Sequence, residues 1–295
     1  MQMFKLVEIP GKGMGIVATC AIRRGTVIID DSAAVDSEVQ VDTEVLEPVE
    51  NEDDLAAEHN GSVQDVRIIT HLISDSAQAS DIMQLTDRGE GRHGKTAYGV
   101  FMTNALPKGT GTRFGALFLT CSRFNHSCTP NAYHSYLKDH NVLRVYAVRD
   151  IDEGDEICTS YIDMVATRDV RAGVLMGRFG FACACATCVK ADPLSDQRRS
   201  KMQLIDKVIA RPANPKIAFK SGQRYQALMH EEDLAIHPLL KRFHYDMFQL
   251  AVLMKDIAEA RRRISKVITI AQLIDSEEEI GRYEQYRKNP QSWLE

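Results

Sequence analysis

Four cysteines constrain the fold of this 295-residue chain more than any other feature. Cys183, Cys185 and Cys188 form a C-x-C-x-x-C cluster in an alanine-rich stretch, and Cys128 ends the earlier run Asn-His-Ser-Cys. Closely spaced thiols in a tight turn supply soft tetrahedral metal ligands at little ordering cost, and one distant thiolate completes such a site. We therefore expect these four cysteines to bind a zinc ion rather than to act only as small packing residues.

A site closed by four cysteines leaves no open position for water, so its expected role is structural. It would tie the segment after Phe179 to the Asn-His-Ser-Cys loop, and so fix the end of a helix against the middle of the β region. Cys20, Cys121 and Cys158 occur singly, and we expect them to fill space in the core.

The bulk composition is that of an ordinary globular protein, with 44% hydrophobic and 26% charged residues. No apolar run reaches the roughly 18 residues that span a bilayer, and the first residues lack the apolar stretch of a secretory signal, so we expect no membrane association. We therefore expect a protein of the nucleus or the cytoplasm. Thiols stay reduced in those compartments, so the seven cysteines are better interpreted as thiols or metal ligands than as a disulfide framework. The net charge of −5 disfavours direct nucleic-acid binding.

The hydrophobic pattern predicts an α+β fold. The end of the chain, after Ser195, is expected to be helical because apolar residues recur there at helical spacing. Strands are predicted at 5–9, 15–20, 26–30, 115–120, 142–148 and 157–161, and helices at 63–85 and 165–178.

Four motifs occur in a defined order. Gly-Met-Gly stands at 13–15, Asn-His-Ser-Cys-x-Pro-Asn at 125–131, Gly-Asp-Glu-Ile at 154–157 and Ser-Tyr-Ile-Asp at 160–163, and the cysteine cluster follows them. Together they resemble the SET-domain protein lysine methyltransferases, and most of all the SET-and-MYND (SMYD-like) subgroup. The resemblance implies a SET fold of short twisted sheets around a threaded substructure, in which the Asn-His-Ser-Cys segment passes near the segment that carries Tyr161.

The resemblance also implies a division of the chain. No cysteine lies between Cys20 and Cys121, so the zinc-binding MYND module that splits the SET domain in that subgroup is absent. The expected parts are the N-terminal part of the SET domain at 1–30, an acidic and helical insertion at 31–97, the C-terminal part of the SET domain at 98–164, a helix with a post-SET zinc segment at 165–192, and a helical C-terminal region at 193–295.

The cofactor implied by the family is S-adenosylmethionine, with S-adenosylhomocysteine as its product. Glycines at positions 13 and 15 would let backbone groups approach the amino-acid end of the cofactor, and Phe181 would lie against the adenine or line the channel. The residues that the resemblance assigns to cofactor binding are Lys12, Gly13, Met14, Gly15, Asn104, Asn125, His126, Tyr161 and Phe181.

Tyr161 is the residue predicted to be catalytic. Methyl transfer from a sulfonium to an amine is an in-line displacement, so it needs alignment, a dry path and a neutral amine more than a strong base. A fixed tyrosine hydroxyl can orient the amine, while a narrow apolar channel and the nearby sulfonium lower the pKa of the lysine. Tyr98, Tyr133 and Tyr136 are candidates for the channel walls, and the sequence does not choose among them.

The expected partner is a lysine-containing protein or peptide, with a histone tail among the candidates. The segment from Gly25 to Val66 has acidic residues and no lysine or arginine. It is either a solvated surface or a field that steers a basic peptide toward the cleft. The alternative function is a catalytically inactive SET-like protein that binds peptides or scaffolds a complex, and cofactor binding separates the two.

Overall fold

The structure, a computed structural model, describes residues 2–38, 41, 46–109 and 115–294. Within these residues, nine short strands form four small sheets. The strands are β1 (Phe4–Ile9), β2 (Gly13–Ala18), β3 (Val27–Ser32), β4 (Val35–Asp36), β5 (Ala116–Leu117), β6 (Asn125–His126), β7 (Ala132–Leu137), β8 (Val142–Ala147) and β9 (Cys158–Thr159).

The helices of the described residues fall into three groups along the chain: an insertion, a short pair around the cysteine cluster and a C-terminal set. They are α1 (Glu52–Glu58), α2 (Val63–Ser74), α3 (Ala79–Ile82), α4 (Glu90–His93), α5 (Ala97–Asn104), α6 (Arg168–Val174), α7 (Ala186–Lys190), α8 (Pro193–Ala210), α9 (Pro215–Glu231), α10 (His237–Leu253), α11 (Ile257–Ile274) and α12 (Glu277–Lys288). None of these helices has the length and apolar character that a bilayer crossing requires.

The N-terminal strands form the hairpin that the turn residues predict. β1 pairs antiparallel with β2, with Phe4 opposite Ala18 and Ile9 opposite Gly13. Gly13 has a φ of 74°, a value that glycine adopts without the steric cost of a side chain. The hairpin buries Phe4 and Ala18 in a core shared with β8, and it presents the Gly-Met-Gly run at the start of β2.

A parallel pair of very short strands brings two distant motifs together. β6 pairs with β9, so that Asn125 lies opposite Cys158 and His126 opposite Thr159. The side chain of Asn131 supports this pairing by accepting a hydrogen bond from the Cys158 amide at 2.8 Å. The Asn-His-Ser-Cys segment therefore lies beside the segment that leads to Tyr161, as the resemblance implies.

The strand predicted at 115–120 is shorter in the structure. Of the predicted residues, only those of β5 form a strand, which pairs with β4. The strand ends early because the amides of Thr120 and Cys121 donate hydrogen bonds to the carboxylate of Asp31 at 2.9 and 2.8 Å. These side-chain bonds turn the chain out of the sheet and into a 3-10 turn. The prediction missed this ending because Asp31 is distant in sequence.

The helix predicted at 165–178 begins three residues later than expected. The amide of Val165 donates to the side chain of Asp163 at 2.9 Å, and Thr167 is extended, so α6 starts at Arg168. The helix continues as a π-helical segment, Leu175–Phe179, and ends at Gly180.

The insertion and the C-terminal helices have separate cores. Val66, Ile69 and Ile73 on one face of α2 pack with Phe101 of α5. The C-terminal core is instead continuous with β8, because Tyr146 is buried among residues of the C-terminal helices. The α+β fold and the helical C-terminal region agree with the prediction, while α5 and β4 lie where no element was predicted.

Candidate cofactor site and metal centre

The four predicted cysteines lie together. The Sγ atoms of Cys128, Cys183, Cys185 and Cys188 are all within 4.8 Å of one another. The sulfur of Cys128 is 3.5 Å from that of Cys188 and 4.0 Å from that of Cys183. Four sulfurs at a Zn–S distance of about 2.3 Å around a tetrahedral centre are about 3.8 Å apart, so the cluster has the dimensions and ligand chemistry of a metal site.

Local backbone structure creates this cluster. Gly180, with a φ of 75°, ends the π-helical segment and reverses the chain. Cys185 then occupies the position before α7 and Cys188 lies in the first turn of that helix, where its amide donates to the Cys185 carbonyl at 2.9 Å. Cys128 approaches from the loop after β6. All seven cysteines are free thiols in the structure.

His126 connects the cysteine cluster to Tyr161. Its Nδ1 accepts a hydrogen bond from the Tyr161 amide at 3.1 Å. A backbone amide can only donate, so the proton of the neutral ring lies on Nε2. Nε2 is 3.3 Å from the Cys128 sulfur, and burial lowers the pKa of His126 to about 4. The neutral ring therefore links the cluster to the backbone of Tyr161 through two hydrogen bonds.

The side chain of Tyr161 is held in one orientation. Its hydroxyl donates to the Phe124 carbonyl at 2.7 Å. The ring lies 5.3 Å from that of His126, 5.0 Å from that of Phe179 and 6.5 Å from that of Phe181, between ring centroids. Burial raises the pKa of the Tyr161 hydroxyl, so the group is a protonated donor at neutral pH.

A cleft of about 270 Å³ opens beside these residues. It is lined by Lys12, His126, Ser127, Thr129, Asn131, Glu156, Cys158, Ala184, Cys185 and Ala186. The ammonium of Lys12 pairs with Glu156 at 2.5 Å, and Asn125 donates to the same carboxylate at 2.9 Å. Burial alone lowers the pKa of Lys12, but the bond and the charge of Glu156 outweigh it and raise that pKa.

The Gly-Met-Gly run packs directly against Asn125. A Cβ atom at Gly15 would lie 2.6 Å from Nδ2 of Asn125 and 2.6 Å from Cγ1 of Ile9. The carbonyl of Met14 accepts a hydrogen bond from the same Asn125 amide at 3.4 Å. The structure thus brings the predicted residues Lys12, Met14 and Gly15 to the Asn125 side chain.

Asn104 occupies a different position. Its amide donates to the carbonyls of Thr86 and Val100 at 2.6 and 2.7 Å, so both protons are bound by the backbone. The backbone carbonyl of Asn104 accepts a hydrogen bond from the Ser122 hydroxyl at 3.1 Å. Ser122 stands two residues before Phe124 in the chain. Asn104 therefore anchors α5 to the loop that leads into the site, and it is not among the residues that line the cleft.

The three candidate channel tyrosines are dispersed. Tyr98 is buried in the insertion core, and Tyr133 packs against the C-terminal core. Tyr136 donates its hydroxyl to Asn141 at 2.6 Å. The aromatic rings found beside Tyr161 are instead those of His126, Phe179 and Phe181.

Sequence reasoning assigned no role to several residues that shape the site. Glu156 and Asn131 stand inside the recognised motifs and could have been found there, whereas Phe179 was noted only as the residue before the cysteine segment. Arg171, in α6, is 2% exposed beside the cysteine cluster. An isolated arginine in a helix carries no sequence signal that distinguishes it from a surface residue.

Comparison with known proteins defines the family. The SET domain model matches residues 13–162, just over half of the chain, so the chain belongs to the SET domain family. The Schizosaccharomyces pombe protein named Histone-lysine N-methyltransferase set5 is 29% identical over 307 residues, which are 99% of this chain and 85% of that protein. Mus musculus Protein-lysine N-trimethyltransferase SMYD5 is 41% identical over 76 residues, 25% of this chain and 18% of that protein.

Among solved structures, the crystal structure of the SET domain of LSMT bound to lysine and AdoHcy aligns with a TM-score of 0.35 at 12% identity, covering 100% of this chain and 91% of that chain. The family match confirms the predicted SET fold. The names of the two relatives agree with the predicted enzyme class.

Proposed function

We propose that this chain is an S-adenosylmethionine-dependent protein lysine N-methyltransferase. The observation that carries the proposal is the placement of Tyr161: its hydroxyl donates to the Phe124 carbonyl, and its backbone amide donates to His126, which lines an open cleft. The set5 and SMYD5 relatives, both named as lysine methyltransferases, support the reaction class.

The cleft fits one end of the cofactor. Its volume of about 270 Å³ is close to the lower limit of about 300 Å³ for small-molecule pockets. Lys12 offers a cation for the carboxylate of the cofactor, Glu156 offers an anion for its amino group, and Gly15 keeps the backbone close to Asn125. We assign Gly13, Met14 and His126 to the same binding surface, and we retain Asn104 as a residue that acts through the loop before Phe124.

The cofactor supplies a methyl group on a positively charged sulfur. The side chains of this protein align the acceptor: Tyr161 orients the lysine amine, and Phe179 and Phe181 provide apolar walls that disfavour the ammonium form. Once the amine has lost its proton to water, in-line attack needs only position and exclusion of solvent.

The metal proposed for the four cysteines is zinc. Four thiolates around a tetrahedral centre are the ligand set of closed structural zinc sites. Cys128, Cys183, Cys185 and Cys188 would hold the ion and fix the segment after α6 against β6, which also fixes Phe181 near His126.

The substrate proposed is a lysine-containing protein or peptide, and a histone tail is one candidate. We place the activity in the nucleus or the cytoplasm, where the free thiols of the cluster stay reduced. We propose the insertion at 31–97 and the C-terminal region at 193–295 as the parts that select the substrate, the first through its acidic surface.

Calorimetry with S-adenosylmethionine and S-adenosylhomocysteine, combined with a zinc assay, tests the proposal. Wild type and Tyr161→Phe should bind both molecules with similar affinity, because Tyr161 acts mainly in the transition state. Transfer of labelled methyl groups to histones and lysine peptides should fall at least 10-fold in Tyr161→Phe and stay unchanged in the control Tyr136→Phe. A folded wild-type protein that binds neither molecule would favour the scaffolding alternative.

A further inference from the structure

Arg171 is a buried cation at the edge of the cysteine cluster. Its side chain is 2% exposed, and Nη1 donates to the Ala166 carbonyl at 2.5 Å. The Nε atom has no hydrogen-bond partner among the described residues. Burial lowers the pKa of this guanidinium, but the neighbouring Cys128 and Cys188 thiols outweigh that effect and raise it. A buried guanidinium with an unused donor beside two thiols requires a compensating charge.

The buried carboxylate of Glu232 is bound by two other arginines. Glu232 accepts from Arg198 and, at 3.0 Å, from Arg199, which is fully buried. Arg199 lies close enough to Arg171 for their charges to repel. Because Glu232 is already shared by Arg198 and Arg199, we attribute the counter-charge for Arg171 to the cysteine side.

Four thiolates around a divalent ion carry a net charge of −2, and burying that charge is unfavourable without nearby donors. N–H groups that donate to metal-bound sulfur spread this charge and orient the ligands. His126 offers one neutral donor, Nε2–H, to Cys128. A guanidinium offers several donors and a full positive charge.

We propose that Arg171 is the outer-sphere positioning residue of the metal centre: its guanidinium donates to the thiolates of Cys128 and Cys188 and balances their charge, so that it controls how tightly zinc is held. The proposal rests on the zinc centre proposed above. It also ties that centre to the loop before α6 through the bond to Ala166.

The test compares full-length wild type with Arg171→Met and Arg171→Lys, with Arg168→Met as the matched control on the exposed face of the same helix. Zinc affinity is measured by competition with a chromogenic chelator, and cobalt-substituted samples report the thiolate-to-metal charge-transfer band. We expect Arg171→Met to weaken zinc binding by about 10–100-fold, as loss of outer-shell partners does, and to shift the cobalt band. Arg171→Lys should show a smaller effect and Arg168→Met none.

The possible results distinguish failure of the Arg171 role from failure of the proposed zinc centre. A wild type that binds no zinc overturns the metal centre itself. Zinc bound equally well by wild type and both Arg171 variants, with an unchanged cobalt band, overturns the role of Arg171. Thermal destabilisation without a change in zinc affinity or in the band shows a packing role only, and likewise overturns it. If Arg171→Met does not fold, the zinc affinity and cobalt band of Arg171→Lys are compared with those of wild type instead, and no difference between them overturns the role of Arg171.

Discussion

The Asn125 side chain contacts several of the residues that we propose to bind the cofactor. Its amide contacts both the Met14 carbonyl and the Glu156 carboxylate, and Gly15 leaves the space that this amide occupies. The φ of Gly15 is not positive, so its backbone conformation does not require glycine. Glycine is needed there because the Asn125 side chain lies where a Cβ atom would be. The second glycine of the Gly-Met-Gly run therefore makes room for the Asn125 side chain.

Substituting Gly15→Ala should weaken cofactor binding. The new Cβ would lie 2.6 Å from atoms of Asn125 and Ile9, so Asn125 has to move away from Glu156. We expect affinity for S-adenosylhomocysteine to fall at least 10-fold in calorimetry while the fold persists by circular dichroism. Gly173→Ala, where a Cβ meets nothing within 4 Å, is the control, and equal affinity in both variants would contradict the prediction.

At the residue level, the motifs predicted what their own chemistry requires. The grouping of Cys128 with its three partners follows from ligand type, and the proximity of the Asn-His-Ser-Cys segment to the Tyr161 segment follows from the family resemblance. The contacts of Glu156 and Arg171 do not, because each depends on a partner that only the folded chain brings near. Phe179 lay inside a recognised motif, but its place beside Tyr161 depends on the π-helical turn that precedes Gly180.

At the scale of elements, the sequence predicted the strands of the N-terminal hairpin and β8 within one or two residues. It missed the early end of β5 and the late start of α6, since both boundaries are set by carboxylate side chains, Asp31 and Asp163, that bind backbone amides. Such caps compete with secondary structure locally and leave little trace in hydrophobic periodicity.

Loss of the proposed zinc ion should loosen one segment rather than the whole molecule. That ion would join the segment from α6 to α7 to Cys128 after β6, so chelation or Cys188→Ser would remove this link. Hydrogen exchange measured by mass spectrometry should increase over 168–190, while the hairpin and α8–α12 stay protected. Cys20→Ser, outside the cluster, should leave the exchange pattern unchanged. Uniform exchange in all samples would show that the cluster does not anchor this segment.

At the scale of the whole molecule, the C-terminal helices are joined to the SET domain by apolar and charged contacts. Tyr146 of β8 lies in the C-terminal core. Arg199 of α8 donates to the Met164 carbonyl, two residues beyond the SET domain match, and to Glu232 after α9. The sequence predicted the helices from their periodicity, but it could not predict this docking, since a helical pattern shows which face is apolar and not what covers it.

Substituting Glu232→Gln should destabilise this docking. Arg199 is fully buried, and removing the charge of its partner leaves an uncompensated guanidinium, a change that costs about 3–5 kcal/mol for buried pairs. The neighbouring Glu231 pairs with Arg224 at the surface, so Glu231→Gln should cost at most about 1 kcal/mol. Urea unfolding of both variants measures the difference, and equal midpoints would mean that the Arg199–Glu232 pair does not hold the two parts together.

The stability of the whole molecule should also decrease as the pH falls below 7. Burial is the main cause that lowers the pKa of His134, His237 and His244 to about 4. The unfolded chain, with histidine pKa values near 6.5, therefore binds more protons between about pH 6.5 and pH 4, and the free energy of unfolding falls as the pH decreases through that window. His244 shows this most clearly, because Nδ1 accepts from Arg263 at 3.2 Å, and protonation would place two cations together.

Each such histidine contributes at most about 2 kcal/mol of the loss between pH 7 and pH 5. His244→Asn keeps an acceptor for Arg263 but cannot titrate, so its unfolding free energy should depend less steeply on pH than that of wild type. His140→Asn, at an exposed position, should leave the wild-type slope unchanged. Urea unfolding at pH 7, 6 and 5 gives the three slopes. If His244→Asn and wild type lose stability in parallel, His244 is not a source of the acid sensitivity, and the slope belongs to the half-buried His134 and His237 and to the carboxylates.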